Sequence, residues 1–278
     1  MSTELDAELT GSDPTEVVGE LLQEADADSE YYLVDPPWQY VSALAEAGTE
    51  FDESELPTLQ LVAQRDTLVS LRQSFVAASR AANLVEAGTL GVRERNGGGD
   101  TPTIVADERV YAPLLMDGTG AAIAARSGSY VEHAADAAAE VWESGESFSL
   151  RTPALDRLRS TMETDLGETV RADFDNGLST VAGQRDSESF EAVTAAVVVA
   201  AANDILHYDL SRWGEEVGLA SKATFSRRKG ELEDLDVVTT EKVPVEMGRP
   251  RQRLQLTNEY REMLAEHGVD ELVARLAG

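Results

Sequence analysis

Two groups of side chains carry the chemistry that can be read from this chain. Ser221, Lys222, Thr224, Ser226, Arg227 and Arg228 crowd the opening of one segment, and Arg249, Arg251 and Arg253 recur along another. Hydroxyl, ammonium and guanidinium groups at the start of a helix suit the base edges and phosphates of double-stranded DNA. Arginines two residues apart on a strand share one face, and such a row suits phosphate oxygens or a narrow minor groove. Arg228 and Lys229 also fit a second role, with their stems lying along the core and their charged ends free, which ranks them below the others as base readers.

The elements that would position these groups follow from spacing. Leu210, Trp213, Gly214 and Val217 recur at helical intervals and form one apolar stripe. Gly218 then permits the left-handed turn that ends a helix. A second helix opens at Ser221, with Phe225, Leu232 and Leu235 expected on its inner face. Two strands follow, VVTTEKVPVE and RQRLQL, joined through a turn containing Gly248 and Arg249. In the second strand, alternation directs Leu254 and Leu256 inward and Arg251, Arg253 and Gln255 outward. Helix, turn, helix and hairpin over Asp209 to Leu256 make a winged helix-turn-helix, mostly α with a β-hairpin wing. A helix from Phe190 to Leu206 supplies its first member, so the domain is expected to span residues 187–258.

Charge sets the conditions under which such a domain would work. The 278 residues carry a formal charge of −29, which by itself repels phosphate. Only Lys222, Lys229 and Lys242 are lysines, while the other 20 of the 23 basic residues are arginines. Few lysines with abundant carboxylates resemble the proteins of haloarchaea that accumulate salt. At molar salt the Debye length falls to roughly 3 Å, so only near-contact charges count. From His207 to Thr257, nine basic residues meet nine acidic ones. This window is neutral, and the rest of the chain carries the whole negative charge. Binding is therefore expected to weaken less steeply with salt than it does for an ordinary basic protein.

Upstream, the pattern changes to that of an α/β domain. Residues 1–13 read as a disordered tail, and a helix begins at the Ser12-Asp13-Pro14 start signal. Strand signals cover Tyr31 to Val34, Leu59 to Ala63, TLGVRER and the hairpin TIVADERVYAPLLM, with a further short strand over Ala121 to Ala124. Helical stretches run from Trp38 to Ala47, from Arg65 to Ala87 and from Tyr130 to Glu143. These make an α/β effector or sensor domain over residues 14–150. Two amphipathic helices then occupy 151–186, either as a connector that supports dimers or packed onto the α/β domain. The helices of residues 259–278 are a candidate for dimerisation.

Several chemistries are excluded. No cysteine is present, which removes disulfides, thiol catalysis and thiolate metal sites. The three histidines are scattered, so no metal or cofactor is expected. The α/β pattern invites comparison with the phospholipase-D-like fold, whose enzymes place a lysine two residues after a histidine. None of His133, His207 and His267 meets that spacing, and no phosphate-cradling glycine loop with its lysine occurs, so no enzyme activity is expected. The acidic N-terminus is not a signal peptide, and the Ala/Val run from Ala192 to Ala202 is too short to span a membrane. A cytoplasmic, soluble chain is the expectation.

The blocks YYLVDPPWQYVSALAEAG, ASRAANLVEAGTLGVRE, DLGETVRADFDNGL, GLASKATFSRRKGELEDLDVV and GRPRQRLQLT resemble the haloarchaeal TbsP-type transcriptional regulators, related to the sugar-responsive TrmB family. That resemblance covers nearly the full chain. It implies a DNA-binding regulator of central carbon metabolism, with a catalytically dead phospholipase-D-like effector domain. TrmB proteins usually begin with their DNA-binding domain, so their sugar-binding residues do not carry across. The reading that results is a homodimeric regulator whose α/β domain senses a small-molecule metabolite. Asp35, Trp38, Arg65, Asp66 and Arg80 are candidates for a pocket at the strand ends. The competing readings are a winged-helix adaptor for protein contacts and a cryptic hydrolase.

Overall fold

The computed structural model describes residues 7–97, 101–126, 128–181, 189–244 and 250–277. They form two compact units, one running through Arg72 and resuming over Ala77–Arg151, the other made of Gln73–Val76 and the chain from Thr152 onward.

The first unit is built on an eight-stranded mixed sheet. Its strands are β1 (Ala7–Gly11), β2 (Glu30–Val34), β3 (Thr58–Gln64), β4 (Leu90–Arg95), β5 (Thr103–Ala106), β6 (Arg109–Met116), β7 (Thr119–Ala125) and β8 (Glu146–Ser147). They lie in the order β1-β7-β6-β5-β2-β3-β4-β8. The three strands β2, β3 and β4 pair in parallel, through crossovers that hold α2 (Trp38–Ala47) and then α3 (Arg65–Gln73) with α4 (Phe75–Glu86). The remaining pairs are antiparallel, including the β5–β6 hairpin that turns at Asp107, whose φ is 49°. Helix α1 (Pro14–Gln23) starts where Asp13 accepts the Thr15 and Glu16 backbone N–H groups.

Alternation explains how both faces of this sheet are used. Tyr31 and Leu33 point one way while Tyr32 and Val34 point the other. Helix α5 (Gly128–Ser144) covers the second side, where Val34, Val62, Val105 and Val110 meet Val131 and Ala138. Gly91 lies beneath the same helix, and a Cβ there would fall 2.6 Å from the Trp142 ring. A methyl group at this position would push α5 off the sheet.

The second unit packs helices around one that is almost wholly buried. These are α6 (Leu155–Leu166), α7 (Glu168–Val181), α8 (Ser189–Ala202), α9 (His207–Glu216), α10 (Lys222–Asp234) and α11 (Asn258–Ala277), with the hairpin β9 (Val238–Val243) and β10 (Arg251–Leu256). Ala192, Val193 and every residue from Ala195 to Ala201 are buried. Small side chains let neighbouring helices approach α8 closely from all sides. Gly268, at φ 86°, breaks α11, and Val269, Leu272 and Val273 beyond it are buried, with Val273 against Gly177 of α7.

Four expectations change. Ala7–Gly11 is not a tail but an edge strand paired with β7, because Leu9 has a core position that a five-residue pattern hardly signals. The helical stretch over Arg65 to Ala87 breaks at Ser74, and Phe75 and Val76 join the core of the second unit. The helix expected from Phe190 to Leu206 stops at Ala202, and Asp204 takes a positive φ of 55°. Helices α6 and α7 belong to the core of the second unit and not to that of the α/β unit. Leu158, Met162, Phe174 and Leu178 lie in the same cluster as Trp213 and Phe225.

Candidate nucleic-acid interface

The helix-turn-helix is held by an apolar clamp between its two helices. Val217 ends α9, Gly218 takes φ 83°, and the Leu219 N–H returns to the Gly214 carbonyl at 2.8 Å while the Gly218 N–H reaches Glu215. This is the two-bond closure that a left-handed glycine allows. Gly214 has a second reason to be glycine, since a Cβ there would collide with the Phe225 ring. Trp213 packs edge-on against Phe174, with ring centroids 6.4 Å apart, and its indole N–H donates to Thr161 Oγ1 at 2.9 Å. Together these contacts set the angle at which α10 is presented.

The start of α10 is capped by its own sequence. Ser221 Oγ accepts the Thr224 N–H at 3.2 Å and lies 3.0 Å from Thr224 Oγ1. Glu215 of α9 then holds the first residue of α10 twice, accepting the Lys222 N–H at 3.4 Å and meeting its Nζ at 2.8 Å. That pairing lowers the Glu215 pKa and raises that of Lys222. Ser226 and Arg227 are exposed, and Arg227 has Glu231 at 3.9 Å.

Two of the expected placements turn out differently. Arg228 is turned inward, its side chain 12% exposed, with Nε donating to Thr194 of α8 at 2.6 Å and Nη1 to Glu231 at 3.0 Å. It anchors α10 to α8 because its stem emerges beside Phe225 and Leu232 on the packed side. Leu235, expected inside, is exposed at the C-terminal cap. Arg249, like Gly248, lies outside the described residues.

The described part of the wing is a two-stranded ladder extended by a bridge between Leu206 and Arg253. Leu254 and Leu256 are buried. Arg251 stacks on Tyr208, 4.2 Å from the ring centroid, with Asp209 at 3.5 Å. Arg253 faces its cross-strand partner Glu241 at 3.5 Å. On the other side of the strand, Gln252 accepts from Lys229 Nζ at 3.1 Å and ties the hairpin to α10.

Two further residues belong to this surface. Tyr208, exposed at the start of α9, stacks beneath Arg251. Lys242, exposed on β9, has no ion-pair partner among the described residues. Tyr208 stands just ahead of the apolar stripe, outside its periodicity, and Lys242 is a lone cation on the strand opposite the arginine row, so neither belongs to a sequence pattern.

The strand-end candidates of the α/β unit separate into two places. Asp35, at φ 46° just past β2, accepts the Gln64 N–H at 3.0 Å and pairs with Arg95 at 2.9 Å, the two side chains being 8% and 14% exposed. Arg65 pairs with Glu94 at 2.9 Å at the same end of the parallel strands. Trp38 is half-buried and Asp66 exposed. Arg80 pairs with Glu46 near the far end of α2, away from this group. Two cavities lie elsewhere in the unit. One of about 280 Å³ is lined by Tyr31, Asp107, Arg109 and Tyr111, and an open groove of about 630 Å³ runs along α5 past Tyr130 and His133. In the first, the Tyr31 hydroxyl donates to Asp107, and burial with that carboxylate raises its pKa far above the ordinary value.

Comparison with known proteins settles the family. Residues 6–153 match the model of the N-terminal domain of TbsP-like transcriptional regulators, and residues 154–277 match that of their C-terminal helix-turn-helix domain. The chain belongs to the TbsP-like transcriptional regulators. No curated protein matches it. Among solved structures, TrmBL2, an archaeal chromatin protein described as showing a novel mode of DNA binding, aligns at 17% identity. That alignment covers 53% of this chain and 56% of TrmBL2, so about half of its length, with a TM-score of 0.38. Nuc from Salmonella typhimurium, a phospholipase D family member, aligns at 11% identity over 48% of this chain and 91% of its own, with a TM-score of 0.33. Superpositions this loose define no shared fold, and the phospholipase-D comparison extends no further than that likeness. The TbsP-like family is one of regulators and not of enzymes. Among the described residues, no group of histidine and carboxylate side chains could hold a metal ion, and no helix is long and apolar enough to cross a membrane.

Proposed function

We propose that this chain is a sequence-specific regulator that binds double-stranded DNA through the start of α10 and the β9–β10 hairpin. Ser221, Lys222, Thr224, Ser226 and Arg227 meet base edges and phosphates, while Arg249, Arg251 and Arg253 follow the backbone beside them. The observation that carries this reading is that α9 holds a cation from each neighbouring element, Lys222 of α10 at Glu215 and Arg251 of β10 at Tyr208 and Asp209. TrmBL2, whose description includes DNA binding, is consistent with that use. By its resemblance, the regulator controls genes of central carbon and sugar metabolism in a halophilic archaeon. It acts as a homodimer, and its α/β unit responds to a small metabolite.

Genome-wide occupancy under sugar-rich and sugar-poor growth tests this. Sharp promoter peaks that vanish in Arg227→Ala, and in the combined Arg251→Ala/Arg253→Ala variant, are the expected result. Diffuse occupancy that the variants leave unaltered would establish the second reading, a winged-helix adaptor. That reading draws on the carboxylate partners of the surface cations. For the sensing role, thermal shift in high salt with sugars, sugar phosphates and nucleotides should show stabilisation by one class. No shift with any of them removes effector sensing from the proposal.

A further inference from the structure

Three cations at the proposed interface are already matched with anions. Lys222 holds Glu215 at 2.8 Å, Arg251 holds Asp209 at 3.5 Å and Arg253 holds Glu241 at 3.5 Å. All six side chains are exposed to a substantial degree, from 29% for Asp209 to 56% for Glu241. Ion pairs this exposed add little to folding, so stability is a poor reason for three of them on one surface. Their placement fits a different reason. Each carboxylate comes from an element beside the cation, Asp209 and Glu215 from α9 and Glu241 from the facing strand, where a phosphate would compete for the same N–H groups.

We propose that Asp209, Glu215 and Glu241 weaken the phosphate contacts of Lys222, Arg251 and Arg253, so that DNA of arbitrary sequence is held weakly and a duplex is held tightly only when it also satisfies the base-reading side chains. This rests on the DNA-binding reading above. A cation that is free in the unbound protein gains a phosphate and releases about 0.9 of a counterion from the duplex. A cation that must first leave a carboxylate exchanges one anion for another. The abandoned carboxylate, now beside DNA, draws a cation from solution, and the net release for that contact falls toward zero. Specific and non-specific binding share these phosphate contacts and bear the same penalty, which leaves non-specific binding, made almost entirely of them, weak in absolute terms. Specific binding adds hydrogen bonds from Ser221, Thr224 and Ser226, which none of the three carboxylates holds. Before DNA binds, the contacts with Lys222 hold the Glu215 pKa below the usual carboxylate range, so the carboxylate is ionised. The arrangement achieves by pairing what a neutral local charge alone would not, namely cations kept in position but not free to grip any backbone.

The test uses the full chain and two probes, a mixed-sequence duplex and the tightest sequence selected from the same pool by the wild-type protein. Affinity is measured by fluorescence anisotropy across a range of KCl. Glu215→Gln and Glu241→Gln are each expected to bind the mixed duplex several-fold more tightly at low salt. Each should also steepen the plot of log affinity against log salt by about one unit. The double variant should tighten binding to both probes about tenfold at low salt and leave their ratio near that of the wild type. Glu46→Gln, which removes the same charge from an ion pair in the α/β unit, should change none of these. Slopes that stay at the wild-type value, or that shift equally in Glu46→Gln, overturn the proposal while leaving DNA binding intact. A wild-type protein that binds neither probe overturns the DNA-binding reading itself, and this inference with it.

Discussion

Ion pairs in the two units are made of the same residue types and do opposite things. In the α/β unit, Asp35 and Arg95 are buried together at the ends of the parallel strands, and the Asp35 carboxylate also accepts a backbone N–H. In the helix-turn-helix, Lys222 and Glu215 are each about half exposed. Water and salt compete with the exposed pair but scarcely reach the buried one. A buried pair is therefore a fixed part of the structure, since removing one partner strands the other in a poor solvent. An exposed pair is exchangeable, which suits a surface that must let go of one anion to take another.

The comparison can be broken most directly at Asp35. Asp35→Ala removes the carboxylate that pairs with Arg95 and accepts the Gln64 N–H, and puts alanine at a positive φ, and it should cost about 3 kcal/mol in denaturant unfolding. Glu215→Ala, by contrast, should leave the unfolding midpoint close to that of the wild type. Equal losses would mean that burial is not what separates the two kinds of pair. Next in size is Gly214→Ala, where the new methyl group must displace the Phe225 ring. A loss of about 2 kcal/mol is expected, together with weakened DNA binding, because the angle of α10 depends on that contact.

Neighbouring arginines sharpen the contrast further. Arg228→Ala removes the anchor to Thr194 and should cost about 1–2 kcal/mol, whereas Arg227→Ala should change stability by less than about 0.5 kcal/mol and act on DNA affinity instead. Calorimetry alongside anisotropy separates the two. A loss of DNA affinity in Arg228→Ala without a loss of stability would return that residue to the interface.

The smallest expected effect is on pH dependence. Burial, and then the charge of Lys229, lower the His207 pKa below its usual value of 6.5. The unfolded chain then takes up the proton more readily, so His207 contributes stability above about pH 6.5 that is lost as pH falls. His207→Gln should flatten this part of the stability profile between about pH 7 and pH 5. A profile that keeps its slope would place the dependence on the carboxylates.

Much of the second unit can be read directly from its residues because its signals are local. The stripe from Leu210 to Val217, the glycine after it and the serine that caps the next helix lie within a dozen positions, and each acts through its own backbone. The inward leucines of β10 follow from simple alternation. Elements that depend on distant partners were less legible. β1 exists because β7 accepts it, and the break at Ser74 arises where Phe75 and Val76 leave the α/β unit for another core. At the interface, residue types named the cationic groups but not their anions. Asp209 and Arg251 are far apart in the chain and meet only because β10 folds back beside α9.

By itself, then, the sequence determined the periodic elements, the turn and cap between α9 and α10, the absence of thiol chemistry and the neutral charge of the helix-turn-helix within an acidic chain. Each of these is set by the order of neighbouring residues or by composition. Only the tertiary structure decided which cations face outward, which carboxylate each one holds, and that Arg228 serves the core while Arg227 faces solvent. Those outcomes depend on packing angles between helices, where a single residue's rotation about α10 moves a guanidinium group from water to Thr194.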